Sequence, residues 1–75
     1  MPYIAIKTYP KDEETKRKLI EGINKVVLDV WGCPQNAISI SQESIDPTEW
    51  DEKVQKPQVE ANKDKMYILN GEKQY

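Results

Sequence analysis

Two stretches of the chain alternate between apolar and polar positions, a pattern that predicts β-strands. In PYIAIKT, near the start, the residues of one face are Ile4, Ile6 and Thr8, and those of the other are Tyr3, Ala5 and Lys7. In AISISQ, further along, Ile38 and Ile40 alternate with Ser39 and Ser41. β-Branched residues are common in both stretches, as is typical of strands. We therefore expect one strand at each position.

Between the two strands, apolar residues recur in steps of one, three and four, which predicts an amphipathic helix. The apolar face comprises Leu19, Ile20, Ile23, Val26, Val27, Val30 and Trp31, and the opposite face Lys16, Arg17, Lys18, Glu21, Asn24 and Lys25. Asp12 is a good N-cap, and Glu13 and Glu14 follow it in the first turn, where the helix dipole favours acidic residues. Gly32 suits the left-handed position after the helix, and Pro34 cannot continue it.

A strand, a helix and a strand in this order predict a β-α-β unit with parallel strands and a right-handed crossover. One helix covers only one face of such a sheet, so we expect a partner subunit to cover the other. The remaining signals are a short helix with Asp46 as its cap and Pro47 in its first turn, a break or kink at Pro57, and an Asn70–Gly71 turn that suggests a C-terminal strand or hairpin. We predict a single α+β domain spanning residues 1–75 and completed by oligomerisation.

The composition also favours association. A chain of 75 residues buries only about 60–65% of its unfolded surface. Small domains commonly compensate with disulfides, a metal or a partner. Cys33 is the one cysteine and histidine is absent, so we expect neither an intrachain disulfide nor a metal site. We therefore expect self-association.

The charge and hydropathy patterns argue against several other partners. The net charge is −2, from 11 basic and 13 acidic residues spread along the chain, and no basic stripe suggests nucleic-acid binding. The apolar runs are too short for a transmembrane helix, and the N-terminus lacks the apolar core of a signal peptide. We therefore expect a cytoplasmic protein that binds neither nucleic acid nor membrane, and a single thiol fits a reducing compartment.

Pro2 is the principal candidate for chemistry. Removal of Met1, which is usual before a small second residue, would leave Pro2 with a secondary amine that is able to move a proton near neutral pH. If Met1 stays, the nitrogen is an amide and has no such role. A proline at this position is also merely compatible with the start of a strand.

Three other residues are candidates for substrate binding. Lys11, in the loop after the first strand, is either an anion-binding group or solvated surface. Trp50 is either the wall of a pocket or a core residue, and Ser39 is either a ligand-binding or a structural hydroxyl on its strand.

Several segments in order resemble the tautomerase superfamily, specifically the short proteins similar to 4-oxalocrotonate tautomerase. The segment MPYIAIK is similar to the family's opening strand with its catalytic proline, KLIEGINKVV to its helix, and CPQNAISI to the entry of its second strand. The later segments, IDPTEW and KPQVEANKDKMY, are similar to the PptA-like branch. The resemblance spans nearly the whole chain.

The resemblance implies an isomerase without a cofactor, in which Pro2 transfers a proton between the oxygen and the carbon of an enol. It also implies a tautomerase fold in which two protomers form a four-stranded sheet with helices on one face, a dimer rather than a hexamer. Lys11 and Ser39 stand where the founding enzyme has arginines, and Trp50 matches an aromatic pocket residue. Arginine binds carboxylate with two parallel hydrogen bonds, which neither lysine nor serine can do. We therefore expect an arylpyruvate-type enol rather than a dicarboxylate as substrate. The alternative is a non-catalytic oligomeric module that binds a small molecule on the same fold.

Overall fold

The structure is a computed structural model that describes residues Met1–Tyr75. The chain comprises two compact units, Met1–Ser44 and Ile45–Tyr75, and each is described by itself. The single domain expected over residues 1–75 stays a prediction.

The first unit confirms the β-α-β arrangement. Its elements are β1 (Tyr3–Thr8), α1 (Glu13–Trp31), a 3-10 turn (Gln35–Ala37) and β2 (Ser39–Ser44). The strands pair in parallel, from Tyr3 opposite Ser39 to Thr8 opposite Ser44. β2 begins two residues after the start of the AISISQ segment, because Ala37 belongs to the 3-10 turn and Ile38 ends that turn. It continues two residues beyond the segment, to Ser44, which pairs with Thr8.

Both ends of α1 form as the sequence predicts. The Asp12 carboxylate accepts hydrogen bonds from the Thr15 backbone N–H at 3.3 Å and from the Thr15 hydroxyl at 2.5 Å. At the other end Gly32 adopts a left-handed conformation with φ of 73°, and its N–H donates to the Leu28 carbonyl at 3.2 Å. Local side-chain and backbone chemistry therefore fixes where the helix begins and ends.

The apolar residues of α1 divide into a half-buried set and an exposed set. The half-buried apolar residues are Ile20, Ile23, Val27 and Leu28. The exposed apolar residues are Leu19 at 41%, Val26 at 59%, Val30 at 79% and, at the end of the helix, Trp31 at 70%. We call Leu19, Val26 and Val30, which are spaced by seven and four, the α1 flank. Asn24, predicted on the polar face, is instead half-buried, so the helix has a wider partly covered surface than the sequence pattern indicated.

The two faces of the β1–β2 pair differ in polarity. The half-buried face carries Ile4, Ile6 and Ile40. The register places Tyr3, Ala5, Lys7, Ser39, Ser41 and Glu43 on the exposed face. This exposed face, which we expected a partner subunit to cover, carries mostly small or polar side chains that can stay in contact with water. The α1 flank, in contrast, consists of apolar side chains that this chain by itself leaves exposed.

The second unit starts with the predicted short helix and ends with the predicted hairpin. Asp46 caps a 3-10 helix (Pro47–Glu49) by accepting from the Thr48 N–H at 2.9 Å. The chain continues through π-helical turns (Asp51–Val59) and a second 3-10 helix (Glu60–Lys65).

Pro57 does not end the helical path, because it lies within the π-helical turns and the helical geometry is interrupted at Asn62 instead. A kink at Pro57, the other form of that expectation, stays a prediction. β3 (Ile68–Leu69) and β4 (Glu72–Lys73) then form an antiparallel hairpin. Asn70 and Gly71 both have positive φ, 50° and 85°, which confirms the predicted turn.

The chain by itself has a very small core. Only Ala37, Ile45 and Val54 are buried, with 5–9% of their surface exposed. No helix combines the length and apolar character needed to cross a bilayer.

Candidate active site

Pro2 lies immediately before β1 and is half-buried. Its carbonyl accepts a hydrogen bond from the Ser39 backbone N–H at 3.2 Å, beside the first pair of the β1–β2 register. Its nitrogen is joined to Met1, which is 95% exposed and therefore accessible to an aminopeptidase. Removal of Met1 would place a secondary amine at the end of the sheet where both strands begin.

The Ser39 backbone is adjacent to Pro2, but the Ser39 side chain lies on the exposed face of the β1–β2 pair. It pairs with Tyr3 in the register and shares the exposed face with that residue. Its backbone N–H holds Pro2, whereas its hydroxyl has no hydrogen bond within the chain. The structure therefore brings Ser39 to the candidate site by its backbone.

Lys11 lies at the other end of β1, in the loop that leads into α1. It lines a cavity of about 280 Å³ together with Tyr9, Lys16, Leu19 and Gln42. The six residues of β1 span roughly 20 Å at about 3.3 Å per residue, so Lys11 and Pro2 do not meet within one chain. A small substrate cannot touch both residues of the same subunit.

Charges around the start of α1 are partly compensated. Lys16 forms an ion pair with Glu13 at 3.3 Å, whereas Lys11 takes part in no ion pair of the structure. Hydrogen bonds from Thr15 hold the pKa of the Asp12 carboxyl below its usual value, and the charge of Lys11 contributes slightly in the same direction. Lys11 is therefore the cation at this cavity that is most available to an anionic ligand.

Trp50 belongs to the second unit, where its backbone N–H donates to the Pro47 carbonyl at the end of the first 3-10 helix. It is half-buried. Its role as a pocket wall stays a prediction.

The sequence patterns missed a pair of side-chain amides in the first unit. The Asn24 amide donates to the Gln35 side-chain oxygen at 2.9 Å, and the Gln35 amide donates back to the Asn24 oxygen at 2.8 Å. A signal for Asn24 was present in the sequence, because it follows Ile20 by four residues and precedes Val27 by three. That spacing places it on the half-buried side of α1.

Comparison with known families agrees with this architecture. The sequence model of a family described as "Tautomerase enzyme" matches residues 2–50. The match covers more than half of the chain, and the chain belongs to this family. Membership supports a tautomerase-type isomerase in general, whereas assignment to the PptA-like branch stays a prediction. A search of curated proteins returned no match.

Proposed function

We propose that the protein catalyses keto–enol tautomerisation of a small 2-oxo acid, with Pro2 as the general acid–base after Met1 is removed and with no cofactor. The observation that carries the proposal is the tautomerase match over residues 2–50, which includes Pro2 at the start of β1. The parallel β1–β2 pair and the exposure of Met1 are consistent with it.

The chemistry follows from the properties of a secondary amine in a half-buried position. A free α-amino group has a reference pKa of about 7.7–8.0, and partial burial disfavours its charged form. Such an amine accepts the proton of the enol hydroxyl as the carbonyl forms, and returns a proton to the neighbouring carbon. The proton balance is complete, and no electrons are gained or lost.

The charges near the site support a substrate with one carboxylate. Lys11 offers a single positive charge, and Ser39 offers none. The apolar parts of Tyr9 and Leu19 line the Lys11 cavity and suit an aromatic or aliphatic group. We therefore favour an arylpyruvate-type enol over a dicarboxylate, with Trp50 as an apolar wall.

A second copy of the chain would complete the site. β1 pairs with β2 on one side only, so its other edge is free. Antiparallel pairing of two β1 edges about a two-fold axis would bring the Lys11 end of one copy towards Pro2 of the other. The same dimer would form a four-stranded sheet and offer a partner surface for the α1 flank. We propose this dimer in the cytoplasm, where Cys33 would stay reduced.

One observation favours a second candidate function, a non-catalytic module that binds a small molecule. Arg17 is the chain's one arginine, and it lies on α1 with its guanidinium nitrogen Nε 3.8 Å from Glu13 rather than at Lys11 or Ser39. The anion-binding fork that the resemblance associates with the founding enzyme is therefore absent from both positions. A pocket without this fork would bind a carboxylate less tightly and align it less well for proton transfer, which favours a module that binds a small molecule without converting it.

The decisive experiment measures the intact mass of the untagged protein and then assays the same sample for activity, with the enol of phenylpyruvate as the probe. We expect a mass that lacks one methionine and an enol-to-keto rate that falls by about 10²–10⁴-fold in Pro2→Ala. A matched control carries an uncleaved N-terminal tag, which keeps the Pro2 nitrogen as an amide. Activity equal to wild type in that control or in Pro2→Ala would refute the role of Pro2. A retained Met1 with no activity would favour the binding module.

A further inference from the structure

The Asn24–Gln35 pair links the middle of α1 to the segment that enters β2. Two side-chain amides paired through both of their polar atoms fix distance and orientation together, because each donates to the other at 2.8–2.9 Å. Asn24 is held by a helix that is capped at both ends. Gln35 starts the 3-10 turn Gln35–Ala37.

That turn leads directly to Pro2. The Ile38 N–H donates to the Gln35 carbonyl at 3.2 Å, and Ala37 is one of the three buried residues of the chain. Ser39, which follows Ile38, donates its backbone N–H to the Pro2 carbonyl. Ser39, whose N–H donates to Pro2, therefore lies only four positions after Gln35.

Few other polar contacts hold this segment. The segment between the end of α1 and the start of β2 makes two side-chain hydrogen bonds, and both belong to the amide pair. The backbone bonds of the turn, such as Ala37 N–H to the Pro34 carbonyl at 3.0 Å, lie within the segment and do not attach it to the helix. The amide pair is thus the polar tie between α1 and the turn.

We propose that Asn24 and Gln35 are positioning residues for the proline base. They orient the turn that presents the Ser39 N–H to Pro2, and so fix the Pro2 nitrogen relative to the bound substrate. The catalytic consequence rests on the proposed function above, whereas the structural link does not. Reaction rates fall steeply when reacting groups are misplaced, by about 10²-fold for an error of about 1 Å.

The test uses Asn24→Ala, Gln35→Ala and the exchanged double variant Asn24→Gln/Gln35→Asn, which restores an amide pair of the same total length. Asn36→Ala is the matched control, because Asn36 lies in the same turn, is exposed and makes no side-chain hydrogen bond. Two quantities are measured, the hydrogen-exchange rate of the Ser39 amide and the turnover of the phenylpyruvate enol.

We expect each single alanine variant to speed Ser39 exchange and to lower kcat by on the order of tenfold, with KM little changed. The exchanged double variant should recover both quantities, and Asn36→Ala should leave both at the wild-type level. Alanine favours the helix more than asparagine does, so the Tm of Asn24→Ala should not fall in parallel with its kcat.

The outcomes separate the two proposals. Ser39 exchange at the wild-type rate in both alanine variants would overturn the positioning role, and so would a folded exchanged variant that recovers neither quantity. A wild-type protein without Pro2-dependent turnover would overturn the proposed function and the catalytic consequence. Ser39 exchange would still decide the structural link in that case.

Discussion

The exposed α1 flank makes Val30→Lys a direct test of the proposed dimer. Val30 is 79% exposed in the single chain, so its replacement removes almost no contact within the subunit. Lysine is also a good helix former. The folding of an isolated subunit should therefore change by less than about 0.5 kcal/mol. In a dimer that covers the flank, the same change places a charge in an apolar contact.

The expected magnitude follows from the exposed fraction. Complete burial of a valine side chain contributes about 1.5–3 kcal/mol. Burial of the 79% of Val30 that is exposed in the single chain would contribute roughly 1–2 kcal/mol. A dimer with two-fold symmetry buries two copies of Val30, so the contribution to dimerisation is roughly 2–5 kcal/mol. At about 1.4 kcal/mol per tenfold, dimerisation should weaken by roughly 30- to 3,000-fold before the burial of the lysine charge is added.

Sedimentation equilibrium is the assay, with circular dichroism to confirm that α1 stays helical. We expect the wild type at the mass of two chains of 8.7 kDa and Val30→Lys at the mass of one over the same concentration range. Glu21→Lys, an exposed position away from the flank, is the matched control and should stay dimeric. A wild type of one chain, or a Val30→Lys variant that dimerises as tightly as the wild type, would refute the reasoning.

Two further predictions concern the ends of α1. Gly32→Ala should lower the free energy of unfolding by about 1–2 kcal/mol, and Gly32→Asn by less, because an added Cβ meets no atom within 4 Å and the cost lies in the left-handed φ of 73°. Equal urea midpoints for the two variants would contradict this. The pKa of Asp12 is lowered by its hydrogen bonds from Thr15, so its stabilising effect is complete above the unfolded value of about 3.9 and disappears as the pH falls through the folded value. Tm measured from about pH 5 downwards should therefore fall more steeply in the wild type than in Asp12→Asn, and parallel curves would argue against the linkage.

The elements of the fold were largely readable from the sequence because their determinants are local. The ends of α1 depend on Asp12 and Gly32, each of which acts on groups within four residues. The hairpin depends on Asn70 and Gly71, whose conformations the tight turn itself requires. The strands follow from alternation with a period of two. The π-helical turns around Pro57 were not predicted, because the rule for proline inside a helix gives a break or a kink and does not specify the hydrogen-bond pattern that replaces the α-helix.

The candidate site likewise has features that the sequence predicted and features that depend on the tertiary structure. The sequence marked Pro2 and Lys11 as chemically capable residues, but only the tertiary structure placed them at opposite ends of β1. It also paired Asn24 with Gln35, eleven residues apart, and left Val30 exposed although its spacing is that of a buried face. The periodicity of apolar residues indicates which residues lie on the same side of a helix or strand. Whether that side is buried depends on contacts between segments distant in sequence, and those contacts exist only once the chain has folded.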